Sequence, residues 1–272
     1  MSPSDPSPHD VASIVMAAGR GSRMQGYAGN KTLLPLVAGQ TPFTGSRPIL
    51  LHLLQHLPAG PKVLIVNHCK ADVIAATRSW PVAYCEQPVL NGTGGAILAA
   101  LPQIEKLPCR RFIITMGDVP FVRSETYAGL VQALDTSDLV VLGFRPEDRK
   151  QYGVLEIQAG RVLRITEWKY WSAYPAERAA ALGVCNSGIY AVTREALLAY
   201  LPILSSRPQT VHKQVNGRMT AIEEFFFTDL IEFMVADGRP VGYQVAGDET
   251  ETMGIDDLGA LEKAQAILKS GV

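Results

Sequence analysis

Short, almost wholly apolar runs recur along the first half of the chain, at residues 14–18 (IVMAA), 63–66 (VLIV), 81–85 (PVAYC), 111–116 (RFIITM) and 139–144 (LVVLGF). Runs of this length bounded by glycine or polar turns predict strands buried in a sheet. Residues 47–57, 71–78, 96–101 and 124–134 read as the helices between them. Strands alternating with helices at this spacing predict a parallel, doubly wound α/β sheet. From residue 152 the period shortens to two: 152–157 and 161–165 alternate around Gln158, Ala159 and Gly160, which predicts a hairpin. A strand within 183–190, an amphipathic helix over 222–235, a strand at 241–245 and a last helix at 258–268 complete the pattern. Residues 207–218 (RPQTVHKQVNGR) are polar and basic, and an exposed loop is expected there.

Composition narrows the choices. With 272 residues and 47% hydrophobic content the chain can bury a sizeable core. A net charge of −1 argues against a general nucleic-acid surface. No apolar run reaches the roughly 20 residues that cross a bilayer. Residues 1–10 (MSPSDPSPHD) have neither a basic nor an apolar secretory region and predict a disordered leader on a cytoplasmic protein. Cys69, Cys85, Cys109 and Cys185 lie far apart, as ordinary reduced thiols do. His52 and His56 have a spacing that can hold a metal, but no glutamate stands between them, so a polar helix face is expected.

The densest chemistry follows the first strand. Ala17, Ala18 and Gly19 lead into Gly21, Ser22, Arg23 and, further on, Lys31. Glycines let backbone N–H groups approach a polyanion, and fixed cations offset its charge. Such a segment at the end of a buried strand reads as a polyphosphate cradle, while a plain turn with solvated arginines has similar ingredients. Two known phosphate loops are excluded. The dinucleotide fingerprint needs a third glycine where Met24 stands, and the P-loop needs its lysine directly after the glycines. Two later stretches join the loop. Gln87 and the run Gly92-Thr93-Gly94 precede a helix, offering an amide, a hydroxyl and free N–H groups, although Thr93 could equally be a simple cap. Asp118 ends the fourth strand, where a lone carboxylate suits Mg²⁺ or caps a turn.

The order Ala-Ala-Gly-x-Gly-Ser-Arg-Met, then a lysine and Leu-x-Pro, resembles the signature loop of the sugar-phosphate nucleotidyltransferases. Within that family the chain is most similar to the pyrophosphorylase domain of the bifunctional N-acetylglucosamine-1-phosphate uridyltransferases. Gly117-Asp118-Val119-Pro120, Asn186-Ser187-Gly188-Ile189, Thr228-Asp229 and Gly254-Ile255-Asp256 follow in the family's order. The resemblance implies a doubly wound, mixed, mainly parallel Rossmann-like sheet with an appended sugar-binding hairpin region. It implies one domain over 11–272, with a nucleotide half (11–145), an acceptor half (146–250) and a closing segment (251–272). By the same resemblance Ala17, Ala18, Gly19, Gly21, Ser22, Gln87, Gly92 and Thr93 hold the nucleotide, and Arg23 and Lys31 serve the reacting phosphates. Gly153, Glu167, Asn186 and Thr228 hold the sugar, and Asp118 and Asp256 hold Mg²⁺.

Several positions depart from the pattern. Asn30 replaces the usual proline before the lysine, Leu90-Asn91 displaces a glutamine, and Gly95 stands where the uridyltransferases have histidine. Asp256 takes the place of their asparagine, as in other nucleotidyltransferases. Hexapeptide repeats of an acetyltransferase domain do not occur in these residues, so acetyl transfer is not expected of them. The implied partners are a nucleoside triphosphate, UTP above the others, and a sugar 1-phosphate, N-acetylglucosamine 1-phosphate above the others. No nucleic acid or membrane is expected, and the oligomeric state stays open. A cytidylyl- or guanylyltransferase, and a non-catalytic sugar-nucleotide binder, remain the alternatives.

Overall fold

A computed structural model describes residues 10–149, 151–215 and 218–270. The expected leader therefore lies almost wholly outside the described residues. Strand β1 (Val11–Met16) is buried along its whole length. Its side chains alternate between two cores, Ala12, Ile14 and Met16 on one face and Val11 and Val15 on the other. A period of two with both faces covered is what a central strand of a doubly wound sheet requires.

A small antiparallel ribbon, β2 (Pro35–Ala38) and β3 (Gly45–Pro48), comes next and leads into α1 (Ile49–His56). The chain then alternates through β4 (Lys62–Val66), α2 (Lys70–Thr77), β5 (Val82–Glu86), α3 (Gly92–Ile104), β6 (Arg111–Met116), α4 (Ser124–Ala133) and β7 (Leu139–Phe144). A hairpin, β8 (Val154–Gln158) with β9 (Arg161–Thr166), and two short helices, α5 (Trp168–Trp171) and α6 (Ala176–Ala181), precede β10 (Cys185–Thr193) and α7 (Arg194–Ser205). The last elements are β11 (Gln209–Val215), β12 (Arg218–Glu224), α8 (Asp229–Ala236), β13 (Val241–Val245) and α9 (Leu258–Lys269).

The main sheet has the order β13-β7-β10-β6-β1-β4-β5, and the β8–β9 hairpin attaches beside β10. All neighbours along it are parallel except β10, which runs antiparallel to both β6 and β7. The sheet is thus mixed, mainly parallel and Rossmann-like. Helices α3, α7 and α8 cover one face, and α1, α2 and α4 the other. The chain winds outward from β1 to β4 and β5, then returns to β6 on the opposite side of β1. That reversal makes the β1/β6 boundary the switch point where a crevice opens at the strands' carboxyl ends.

Two expectations are corrected. Residues 207–218 are not one exposed loop: β11 and β12 pair in register from Gln209↔Glu224 to Val215↔Arg218, with residues 216–217 outside the described ones. The helix expected from residue 222 begins only at Asp229. Residues 222–224 belong to β12, and Phe225 N donates to Asn91 O while Gly94 N donates to Phe225 O. Backbone groups committed to another segment cannot join a helical ladder.

Candidate active site

The loop after β1 is held by a residue that stood out in the sequence only as a departure. Asn30 is fully buried, and its Nδ2 donates to the carbonyls of Ala17 and His68, each at 2.9 Å. Its Oδ1 accepts from Thr32 N at 3.0 Å and Thr32 Oγ1 at 2.8 Å. One side chain therefore closes the loop and starts the short 3-10 turn Lys31–Leu33. Gly21 lies against the resulting Lys31 stem with φ +61°, and a Cβ there would meet Lys31 Cβ at 3.2 Å. Only glycine takes that backbone conformation without strain and leaves the lysine its place.

Lys31 Nζ contacts Asp118, and also donates to Asp256 Oδ1 at 2.6 Å. Asp118 has no cationic neighbour along the chain, and the fold supplies one. Asp118 is deep, with its side chain 7% exposed, while Asp256 at 51% stands at the mouth. Burial disfavours the Lys31 ammonium, but the two carboxylates outweigh this and hold its pKa above the ordinary lysine value. Asp256 is brought there by two ties: Ile255 N donates to Asp118 O at 3.0 Å, and Asp257 Oδ1 caps α9 through Ala260 N at 2.9 Å. Ile255 itself is buried with Met24, Leu34 and Leu261. Upstream, buried Glu251 contacts Arg123 and accepts from Thr126 Oγ1 at 2.6 Å, fastening the closing segment to α4. Nothing in the spacing of the sequence signalled Glu251.

A cavity of about 450 Å³ opens over this pair, lined by Ala18, Gly19, Gly21, Ser22, Arg23, Lys31, Gln87, Gly92, Thr93, Asp118 and Asp256. Ala17 lies just behind it, its N donating to Ile65 O and its carbonyl held by Asn30. Arg23 is mostly exposed, 3.9 Å from Asp256 at the rim. A Cβ on Gly19 would meet nothing within 4 Å, so that stretch faces open space.

At the far end, Gly92 (φ +93°) packs so closely on Phe225 that a Cβ would lie 2.4 Å from its carbonyl oxygen. Thr93 Oγ1 accepts from Phe227 N at 3.1 Å, so the hydroxyl ties α3 to the segment before α8 and does not cap the helix. Asn91 is the N-cap residue of α3.

Glu167 and Thr228 line a second cavity of about 1040 Å³, which shares Phe226 with the first. Burial raises the Glu167 pKa, Lys169 works against this and Asp229 adds to it. Gly153 adjoins Glu167, because a Cβ there would lie 3.4 Å from both carboxylate oxygens. Gly153 O accepts from Asn186 N at 2.8 Å. The Asn186 side chain is already engaged, donating to Tyr190 OH at 3.0 Å and accepting from Gly188 N at 3.0 Å.

The donor set fits a hard divalent cation. Two carboxylates reach one ammonium nitrogen, so they are close enough to share one metal ion. Among the described residues no cluster of three or more metal-ligating side chains is assembled. Phosphate oxygens and water would have to complete the shell, as is usual for Mg²⁺.

The crevice at the switch point, the glycine loop and the lysine between two aspartates define a nucleotidyltransferase architecture. The chain belongs to the MobA-like NTP transferase domain family, which it matches over residues 13–202. It is 35% identical over 263 residues to the bifunctional protein GlmU of Paracoccus denitrificans, and 32% over 261 residues to that of Novosphingobium aromaticivorans. Each match covers 94% of this chain and 52% of the relative, so the chain spans about half the length of these curated relatives. Two solved structures share the fold. The uridine diphosphate N-acetylglucosamine pyrophosphorylase of Trypanosoma brucei has a TM-score of 0.73 at 12% identity, covering 94% of this chain and 65% of that one. A nucleotidyl transferase of Methanothermobacter thermautotroptrophicus has a TM-score of 0.60 at 17% identity, covering 96% and 99%.

Proposed function

We propose that the chain joins a sugar 1-phosphate to a nucleoside triphosphate, giving a nucleoside diphosphate-sugar and pyrophosphate. UTP and N-acetylglucosamine 1-phosphate are the substrates we favour, in keeping with the name of the Trypanosoma brucei pyrophosphorylase that shares the fold. The observation that carries this reading is the bridge from Lys31 to Asp118 and Asp256 at the mouth of the glycine-loop cavity.

A phosphate monoester oxygen attacks the α-phosphorus in line, and pyrophosphate departs on the opposite side. The nucleophile is already an anion near neutral pH, so the step needs no general base. The demand is for positioning and for neutralising negative charge. Gly19 and Gly21 turn backbone donors toward the triphosphate, and Arg23 at the rim holds the leaving pyrophosphate. Lys31 exchanges its carboxylates for oxygens of the α-phosphate and the attacking phosphate. Asp118 and Asp256 would hold Mg²⁺, which when bound offsets charge on the α-phosphate. Glu167 and Gly153 offer a carboxylate and a backbone to the sugar hydroxyls, with Thr228 across the second cavity.

Pyrophosphate release, measured with Mg²⁺ over a grid of sugar 1-phosphates and the four common nucleoside triphosphates, tests the proposal. Release that needs both substrates and the metal is expected. Triphosphate binding without any release on the whole grid would leave a binding protein in its place.

A further inference from the structure

The second cavity is larger than one sugar needs. Its volume of about 1040 Å³ is more than twice the roughly 450 Å³ of the first, although a sugar 1-phosphate is smaller than a nucleoside triphosphate. Pockets of roughly 300–1,000 Å³ suit ligands of drug size, so there is room for more than one pyranose ring. Glu167 and Thr228 account for only part of the wall.

Much of the remainder is aromatic. Trp168 and Tyr170 come just after Glu167 on α5 and line the cavity while staying 40% and 56% exposed. Their platform is fixed, because Trp171 is buried and its Nε1 donates to Tyr152 O at 2.8 Å, with the Arg149 guanidinium 4.9 Å from its ring centre. Among the described residues nothing stacks on the Trp168 ring. Apolar surface held in place beside a candidate sugar ligand gains free energy when an occupant covers it.

Charge decides the kind of occupant. The lining carries three carboxylates, Glu167, Asp229 and Glu232, and three cations, Arg164, Lys169 and Arg207. A cationic group seeks aromatic faces, but Lys169 already stands 4.7 Å from the Tyr170 ring centre and Arg207 5.0 Å from that of Phe233. An anionic group meets Glu167 and Asp229, whose pKa values burial raises, with Asp229 adding to the first shift and Glu232 to the second. A neutral ring avoids both penalties. Its hydroxyls donate to the carboxylates and accept from Lys169 and the guanidinium groups, while its C–H face covers the indole.

We propose that the acceptor carries a second pyranose ring, stacked on Trp168 and Tyr170 beyond the sugar held by Glu167, so that its class is a disaccharide 1-phosphate. This rests on the reading that the chain transfers a nucleotidyl group to a sugar 1-phosphate. N-acetylglucosamine 1-phosphate is then the phosphate-bearing unit of the acceptor. The reaction is unchanged: an acceptor phosphate oxygen bonds to the α-phosphorus, and the breaking P–O bond leaves its electron pair on pyrophosphate.

The test measures Mg²⁺-dependent pyrophosphate release by the full chain with each of the four common nucleoside triphosphates. The acceptors are N-acetylglucosamine 1-phosphate, the same compound glucosylated at O3, O4 or O6 in either anomer, and phosphocholine. At least one disaccharide is expected to exceed the monosaccharide in kcat/KM by about 10-fold or more, which covering roughly 60 Å² of apolar surface supplies. Trp168→Ala and Tyr170→Ala are expected to remove most of that advantage and to leave turnover of the monosaccharide unchanged. Trp168→Phe, which keeps a ring, is expected to retain it. Both side chains are largely exposed, so these variants are expected to fold. A monosaccharide used as well as every disaccharide, or an advantage that survives both alanine variants, would overturn the second subsite and leave the transferase reading standing. Preference for phosphocholine would give the aromatic wall to a cation and overturn it likewise. No release with any acceptor would overturn both.

Discussion

Lys31 carries most of the site's electrostatics, because its ammonium stands where two carboxylates converge and where a triphosphate would need a cation. Removing one preorganised donor from a transition state costs about 10²-fold or more in turnover. Arg23→Ala is therefore expected to lose that much pyrophosphate release with an unchanged melting curve, and Lys31→Ala to lose as much while also melting lower, because it leaves the nearly buried Asp118 without its cation. Asn30 is a different kind of residue. It satisfies two carbonyls and two Thr32 donors at full burial, so replacing it strands several polar groups at about 1–3 kcal/mol each. Asn30→Pro restores the family's usual residue and is nonetheless expected to lose about 2 kcal/mol or more by urea denaturation. Retained stability in that variant would show that the loop closes without the clamp.

Among the elements, the closing segment is the one whose placement matters most. Asp256 is carried by a stretch anchored at one end by α9 and at the other by Glu251. Burial alone would raise the Glu251 pKa, but Arg123 and Thr126 outweigh it and keep the carboxylate charged. Glu251→Gln weakens that anchor without touching either candidate metal ligand. The expected outcome is a several-fold higher Mg²⁺ requirement in a metal titration, less than the roughly 10–100-fold cost of losing a group bonded directly to a ligand, because Glu251 acts through the backbone of the closing segment. An unchanged metal titration would assign Glu251 to stability alone. Element by element, the strands at 111–116 and 139–144 were read to the residue, because continuous apolar runs between turns admit few alternatives. Helix α7 was not foreseen, its pattern interrupted by Pro202. The β11–β12 ribbon was missed because a two-stranded ribbon outside the main sheet has no need of a uniform apolar run.

At the scale of the whole molecule, no helix among the described residues is long and apolar enough to cross a membrane. Acid sensitivity is expected from α1. Burial, His56 and Arg47 push the His52 pKa down from 6.5 to about 4, and its ring packs on those of His56 and Phe121. As pH falls from about 6.5 toward 4, the unfolded chain takes up a proton that the folded chain refuses. The contribution of neutral His52 is thus complete above that window and is lost on acidification through it. Melting temperature should fall by a few degrees from pH 7 to pH 5, and His52→Gln should flatten the decline. A slope unchanged by that substitution would place the sensitivity elsewhere.

The sequence by itself determined the alternation of buried strands and helices, and the glycine loop with its cations. These follow from local rules, since burial imposes a period and a left-handed turn demands glycine. It also put Asp118 and Asp256 in their segments, but 138 positions of chain separate them, and spacing says nothing across that distance. Only the tertiary structure decided that both meet on Lys31, that Asn30 closes the loop, that Thr93 bonds the Phe227 backbone, and that Asn91 fills the space over Gly95. Each of these is a contact between surfaces that only packing brings together, where geometry, and not residue type, selects the partner.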